Sequence, residues 1–191
     1  MRKILALCVL GCLIHVMFAG SLHTQALHTQ VRVSTGKGGG SGTVSYSEKV
    51  GEYYSTYIIT CHHVVDSNLS VEVKWDPLTQ RDRKKELRNP VMVEFFNWGA
   101  VPHGKSPLTS GTTGDIVAYD KDHDMALLHL RLSQRPAVAK LLPPTASESI
   151  QVGNDVVAVG CQLLHDPILT KGQVTHMGNM IDYKDYVMSN A

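Results

Sequence analysis

Short runs of β-branched, aromatic and other apolar residues alternate along the chain with turn-forming residues. Runs of this length and composition predict β-strands. No stretch keeps an apolar period of 3.6 residues for more than about two helical turns. The chain is therefore predicted to be all-β, with strands that form an antiparallel barrel or sandwich. The predicted strands are 53–60, 70–74, 91–95, 116–119, 125–130, 155–159, 172–176 and 185–188.

The N-terminus carries the most apolar stretch of the chain. Arg2 and Lys3 precede an apolar run at 4–18, and a small Ala-Gly pair follows it. This order is typical of a cleaved signal peptide, because the run is short for a membrane span. We therefore expect a secreted protein, periplasmic or extracellular, with no stable membrane insertion after cleavage. The alternatives are an uncleaved membrane anchor and lipidation at Cys12.

Charge is nearly balanced, with 18 basic and 17 acidic residues and a formal net charge of +1. A face that binds nucleic acid needs clustered Lys and Arg to displace counterions, and no such block occurs here. We therefore expect no nucleic-acid partner. The basic run 81–88 is interrupted by Asp82 and Glu86 and predicts a solvated loop.

A glycine-rich segment at 36–42 could suggest a phosphate-binding loop. It matches neither Gly-x-x-x-x-Gly-Lys-Ser/Thr nor Gly-x-Gly-x-x-Gly, the spacings with which such loops hold phosphate. The segment instead predicts a turn that leads into a strand.

The cysteines provide little covalent support for the fold. Cys8 and Cys12 lie in the predicted signal peptide, which leaves Cys61 and Cys161 in the mature chain. Two cysteines form at most one internal disulfide, and the sequence leaves open whether they are paired. The chain is therefore not a disulfide-stapled scaffold.

The histidines raise the hypothesis of a metal centre. His62 and His63 with Asp66, together with the Asp-His-Asp run at 122–124, supply nitrogen and oxygen ligand types. Adjacent residues on a strand point to opposite faces, so His62 and His63 cannot easily share one ion. We therefore expect no metal site, although a metal-dependent hydrolase remains a hypothesis beside those given below.

Two segments are better suited to acid–base chemistry. The apolar strand that ends at Thr60 leads into His62 and His63, and a histidine exposed at a strand end is well placed as a general base. The acidic turn 122–124 leads into another apolar strand. A carboxylate in that turn could accept the Nδ1–H of a neighbouring imidazole and hold it in the tautomer that a base needs.

Five motifs then occur in a characteristic order. They are Gly-Ser-Gly-Thr-Val at 40–44, Ile-Ile-Thr-Cys-His-His-Val-Val at 58–65, His-Asp-Met-Ala-Leu-Leu at 123–128, Val-Gly-Asn-Asp-Val-Val-Ala-Val-Gly at 152–160 and Leu-Thr-Lys-Gly-Gln-Val-Thr at 169–175. Each motif alone is weakly specific. Together and in this order, they resemble the motif series of trypsin-like serine endopeptidases, and the HtrA/Deg branch is the most similar in style.

The resemblance implies two antiparallel β-barrels with an active site in the cleft between them. His63 would be the general base and Asp124 its orienting partner, by their positions in the matching motifs. The resemblance also divides the chain into a signal peptide at 1–20, an N-terminal β-barrel with both catalytic residues at 21–135, and a partial C-terminal β-barrel at 136–191.

The family's nucleophile lies in a Gly-Asn/Asp-Ser-Gly-Gly segment, and the 191 residues contain none. The last residues, 188–191, resemble those just ahead of that segment. We therefore expect the N-terminal part of a secreted serine endopeptidase that hydrolyses peptide bonds by a Ser-His-Asp mechanism. The chain alone is expected to be inactive.

The resemblance implies polypeptide substrates and no cofactor. The alternative, from a different class of function, is a non-catalytic pseudo-protease or protein-binding β-barrel module. The sequence indicates neither the cleavage preference nor the oligomeric state.

Overall fold

The computed structural model describes residues 25–98, 107–181 and 184–191. The predicted signal peptide at 1–20 lies outside these residues. Strands dominate the described chain, and its helices are short. No helix within these residues has the length and apolarity to cross a membrane.

The elements are named here in chain order. The strands are β1 (Gln30–Thr35), β2 (Gly38–Val50), β3 (Tyr53–Thr60), β4 (Leu69–Asp76), β5 (Arg81–Arg88), β6 (Val91–Asn97), β7 (Leu108–Asp120), β8 (Met125–Leu132), β9 (Asp155–Gly160), β10 (Ile168–Ile181) and β11 (Lys184–Ser189). The helices are α1 (His62–Val65), the 3₁₀ helices Asp66–Asn68, Pro144–Ser149 and Gln162–Leu164, and a helical turn at 25–28.

Six strands close into an antiparallel barrel in the order β1-β2-β3-β8-β7-β6. Successive side chains of a strand point to opposite faces, and buried positions accordingly recur at every second residue in β1, β3 and β8. Ile58, Leu128 and Leu130 are the largest fully buried side chains of the resulting core. The all-β prediction is confirmed. The domain boundary after residue 135 stays a prediction.

Glycines in β2 let neighbouring side chains approach the strand closely. A Cβ at Gly42 would lie 2.8 Å from Cγ2 of Ile58, inside the barrel. A Cβ at Gly40 would lie 2.7 Å from Cγ2 of Val64, in α1. The predicted turn over 36–42 is therefore wrong beyond residue 37, because these glycines allow close packing against a strand.

The basic run Arg81–Arg88 forms strand β5, which corrects the prediction of a loop. It pairs along its whole length with Leu69–Asp76, and the two strands form a separate hairpin sheet. Because the sheet has no third strand, most side chains on both faces are exposed, and no apolar alternation marks β5 in the sequence. Arg88 connects the hairpin to the barrel by donating to the backbone oxygens of Ile116 and Val117, at 3.3 and 2.6 Å.

The turn at the tip of this hairpin, residues 77–80, is expected to be cut early in limited proteolysis. Leu78 in this turn is 94% exposed, and the flanking strands pair only with each other, so local opening requires little free energy. Digestion with subtilisin, followed by mass spectrometry of the fragments, tests this. Early cleavage within Tyr53–Thr60 would contradict it, since β3 is paired on both sides inside the barrel.

Strands β9, β10 and β11 form a second antiparallel sheet in the order β11-β10-β9. Hydrogen bonds join the segment before β10 to the barrel. The backbone N–H of Cys161 donates to Ser41 Oγ at 2.7 Å, and Arg32 donates to the carbonyl oxygen of Leu164 at 2.8 Å. Cys61 and Cys161 both carry free thiols, so the disulfide that the sequence left open is not formed.

Candidate active site

His63 lies in the single turn of α1, just after β3. The expectation that His62 and His63 are neighbours on a strand is wrong, because β3 ends at Thr60 and the chain turns into a helix at His62. Val64 and Val65 in the same turn are buried in the barrel core. Their burial holds the turn against the barrel, while the side chain of His63 stays 71% exposed.

His62 is the buried histidine of this turn. Its ring packs against Tyr119 with the centroids 5.2 Å apart, and its Nε2 lies 3.6 Å from Oδ1 of Asp66. Of the residues considered as metal ligands from the sequence, His62 and Asp66 do not join His63 in a group of potential ligands within the described residues. The reason is the helical turn, which buries one histidine and exposes the other.

Asp124 ends the turn between β7 and β8. Its backbone is left-handed, with a φ of 51°, a conformation that Asp adopts more readily than most residues. Its backbone N–H donates to the carbonyl oxygen of Lys121 at 3.3 Å, which closes the turn. The carboxylate of Asp124 is thereby directed towards α1.

The carboxylate of Asp124 accepts two hydrogen bonds from His63. Oδ1 accepts the backbone N–H at 2.9 Å, and Oδ2 lies 2.7 Å from the ring Nδ1. This geometry fixes the imidazole relative to the carboxylate and favours the tautomer with a proton on Nδ1, which leaves the lone pair of Nε2 available to accept a proton. The structure thus brings together the two residues that the sequence singled out, whose catalytic roles stay predictions.

The bonds from His63 also affect the ionisation of Asp124. The backbone N–H of His63 is the main cause that lowers the pKa of Asp124, and the His63 ring adds to it against the opposing effect of partial burial. The carboxylate is therefore charged at neutral pH, as an orienting partner has to be.

Removing this charge is expected to change how stability depends on pH. A carboxyl whose pKa is lower in the folded than in the unfolded state stabilises the fold above its ordinary pKa of 3.8, and this contribution is lost as the pH falls below that value. Asp124→Asn should therefore lower the free energy of unfolding near neutral pH by less than about 1 kcal/mol, since the site is exposed, and by less still near pH 3.

Urea unfolding of both proteins at the two pH values measures this difference. Asp122→Asn is the control, because Asp122 lies in the same turn and its carboxyl accepts no bond from His63. An equal loss of stability at both pH values would contradict the prediction.

A second His–Asp pair has the same bonding pattern and was missed by the sequence analysis. Asp120 accepts the backbone N–H of His123 at 3.0 Å, and its Oδ2 lies 2.7 Å from the ring Nδ1. These bonds, the backbone one first, lower the pKa of Asp120. His123, considered as a metal ligand from the sequence, therefore pairs with Asp120 and lies outside the group of potential ligands found in the described part of the chain. The sequence feature that could have revealed this pair is an Asp three residues before a His within a predicted turn.

Cys61 is a third side chain at this site, and the sequence analysis gave it no role there. It precedes α1 directly and is exposed. Partial burial first, and then the charge and hydrogen bonding of Asp124, raise the pKa of the Cys61 thiol. Burial raises the pKa of the other thiol, Cys161, to about 11. Neither thiol is therefore an activated nucleophile at neutral pH.

No serine hydroxyl within the described part of the chain is hydrogen-bonded to the His63 ring. Ser41 is flanked by glycines, but its hydroxyl accepts the backbone N–H of Cys161. Ser189 is the last residue of β11 and pairs with Val174. Both serines lie in strands, β2 and β11, whereas an oxyanion hole requires a loop that directs backbone N–H groups at the oxyanion.

A closed barrel that carries a His–Asp pair in the turns after β3 and β7 defines a class of protein, the trypsin-like peptidases. A family model described as trypsin-like peptidase domain matches residues 40–191. The chain belongs to this family. A comparison with curated proteins found no match.

Solved structures of related architecture support the same fold. The chain is similar to Deg5, with a TM-score of 0.57 and 18% identity over 90% of this chain and 72% of that one. It is also similar to two structures of the HtrA-type protease AlgW with a tripeptide, each with a TM-score of 0.56 and 17% identity. These matches cover 86% of this chain and 43% of the AlgW chains. The trypsin-like, HtrA-type fold that the sequence motifs implied is confirmed.

Proposed function

We propose that this chain supplies the general base and the orienting carboxylate of a secreted trypsin-like serine endopeptidase. His63 is the base, Asp124 is its partner, and unfolded or extended polypeptides are the substrates. The serine and its glycine-flanked loop belong to a segment that the 191 residues do not contain. The observation that carries this proposal is the pair of hydrogen bonds from His63 to Asp124, at 2.9 and 2.7 Å.

The chemistry that this pair supports is acyl transfer. The serine hydroxyl attacks the scissile carbonyl while Nε2 of His63 takes its proton, and backbone N–H groups of the serine loop stabilise the oxyanion. The carboxylate of Asp124 stabilises the imidazolium that forms. The same imidazolium then protonates the leaving amine, and water releases the acyl group by the reverse sequence.

Family membership and fold both favour this proposal over a metal-dependent hydrolase. The chain belongs to a family of trypsin-like peptidases, and its own residues already provide a base that is oriented through Nδ1. The proposed secretion rests on the apolar run at 4–18 behind Arg2 and Lys3.

The first experiment is to read the gene beyond the codon for Ala191. A Gly-Asn/Asp-Ser-Gly-Gly segment there is the expected result. The protein that includes this segment should hydrolyse unfolded casein and be labelled by a fluorophosphonate, which reacts with activated serines. His63→Ala should abolish both signals, whereas His123→Ala should keep them, because His123 has the same bonds to an Asp outside the proposed pair.

A second candidate function is favoured by one observation, the lack of a serine motif in these residues. A pseudo-protease would keep the barrel to bind polypeptides without cleaving them. If the gene carries no serine segment, and labelling and hydrolysis are both absent, this alternative replaces the proposed one.

A further inference from the structure

We propose that Cys61, His63 and Asp124 form a zinc site that inhibits the candidate active centre. The binding of zinc rests only on these three side chains. The inhibitory consequence also rests on the proposed function, since it requires that His63 acts as the base.

The three side chains form the one potential metal-ligand group found within the described residues. One donor atom of each lies within 4.8 Å of the donor atoms of the other two. A zinc ion holds its ligands at about 2.0–2.3 Å, which places the donors of a tetrahedral site about 3.3–3.8 Å apart. If Nδ1 of His63 is a ligand, it has to separate by about 0.6 Å from Oδ2 of Asp124, which now lies at 2.7 Å. Donors that lie as far as 4.8 Å apart have to approach by about 1 Å. The proposal therefore requires small rotations of these exposed side chains. All three groups are exposed, so an ion from solvent reaches them directly.

The types of donor favour zinc over calcium and magnesium. The group offers one thiol sulfur, one imidazole nitrogen and one carboxylate oxygen, and zinc accepts all three in four-coordinate sites. Calcium and magnesium prefer oxygen ligands only. Water fills the fourth position of a zinc ion held by three protein ligands.

The fold places the three residues next to one another before any ion binds. Cys61 and His63 are two residues apart at the start of α1, and the buried valines of that turn fix it to the barrel. The carboxylate of Asp124 is held towards α1 by the backbone N–H of His63 at 2.9 Å. This bond uses Oδ1, so Oδ2 can bind the ion in place of the ring.

Zinc at this site removes the base whichever ring nitrogen binds it. If Nε2 is the ligand, its lone pair is no longer available to the serine proton. If Nδ1 is the ligand, the ring proton moves to Nε2, which then has no lone pair to offer. In both cases the thiol of Cys61 binds as the thiolate and releases one proton, and the bond between the ring and Asp124 is replaced by two bonds to the metal.

Cobalt(II) provides a measurement of binding that needs no activity. Added to the purified 191-residue chain, it should produce the near-ultraviolet charge-transfer band of a thiolate ligand and the visible bands of four-coordinate cobalt, and zinc should displace it. Cys61→Ser and His63→Ala should lose these bands or weaken metal affinity by about tenfold or more, because loss of even an indirect partner of a zinc ligand costs about 10–100-fold.

His123→Ala is the matched control. His123 makes the same bonds to an Asp, but it is not part of a group of potential metal ligands that includes a thiol. It should keep the full cobalt spectrum. Circular dichroism of each variant verifies that it is folded. The proposal is overturned if the wild-type chain gives no thiolate band, or if Cys61→Ser and His63→Ala both keep the wild-type affinity.

The inhibition arm uses the protein that includes a serine segment. Zinc should inhibit casein hydrolysis, and Cys61→Ser should need about tenfold or more zinc for half-inhibition of its own activity. Activity that is unaffected by bound zinc would overturn the inhibitory role. A different outcome separates the two proposals. If the protein binds metal through Cys61 but shows no hydrolysis under any condition, the proposed function is rejected and the zinc site is retained.

Discussion

Replacing His63 by alanine, in the protein that includes a serine segment, is expected to lower kcat for peptide hydrolysis by about 10⁶-fold. Asp124→Ala is expected to cost about 10⁴-fold. The first change removes the group that takes the serine proton. The second leaves the imidazole in place but removes the carboxylate that holds its Nδ1–H at 2.7 Å, so the wrong tautomer is populated and the imidazolium is less stable.

The double variant distinguishes a catalytic pair from two independent structural residues. Because the triad acts as a unit, His63→Ala with Asp124→Ala should lose no more than His63→Ala alone. His123→Ala and Asp120→Ala are the controls and should keep kcat within about tenfold of the wild-type value, since their pair lies outside the proposed site. Multiplicative losses in the double variant, or equal losses in the controls, would contradict the assigned roles.

The barrel could be predicted from the sequence because its strands have one buried face. Tyr53–Thr60 and Met125–Leu132 alternate buried and less buried positions in the structure, and in the sequence they are recognisable as short runs rich in β-branched, aromatic or other apolar residues. Strand β5 could not be predicted in this way. The hairpin that it forms with β4 has no buried face, so nothing in the order of Arg81–Arg88 separates a strand from a loop.

Long-range packing also explains why the first residues of β2, 38–42, fall within the turn that the sequence predicts before a strand. Glycines are typical of turns, and their local sequence gives no sign of what lies against them. Gly40 and Gly42 are required because Val64 and Ile58 lie where their side chains would be. Both contacts join residues more than ten positions apart, and a local pattern carries no information about them.

The candidate site was predictable only as far as the matching motifs reach. His63 and Asp124 occupy recognisable positions in two of these motifs, and the structure brings them into contact. Cys61 could not be assigned from the sequence, since its relevance depends on how the turns after β3 and β7 meet. The bond between Asp120 and His123 is local to one turn, and an Asp three residues before a His was its only signal. The helical turn of α1, which separates the environments of His62 and His63, follows from the burial of Val64 and Val65.

The 191-residue chain itself is expected to show no turnover of peptide substrates, although its proposed base and carboxylate are paired. An imidazole–carboxylate pair without a hydroxyl nucleophile can at best activate water. Ser41, whose hydroxyl accepts the backbone N–H of Cys161 at 2.7 Å, and Ser189, which lies in the β10–β11 ladder, make no hydrogen bond to the His63 ring within the described residues. Without a serine loop, the oxyanion has no backbone donors.

The expected rate is therefore at least about 10⁴–10⁶-fold below that of the protein that includes a serine segment, because both the nucleophile and the oxyanion donors are missing. Labelling by a fluorophosphonate tests for an activated serine nucleophile, and hydrolysis of unfolded casein tests for turnover by the complete machinery. Stoichiometric labelling with turnover that His63→Ala abolishes would contradict the prediction, and it would identify a serine of this chain as the nucleophile. Ser41→Ala and Ser189→Ala would then show which one, since only loss of the reacting hydroxyl removes the label while His63 remains in place.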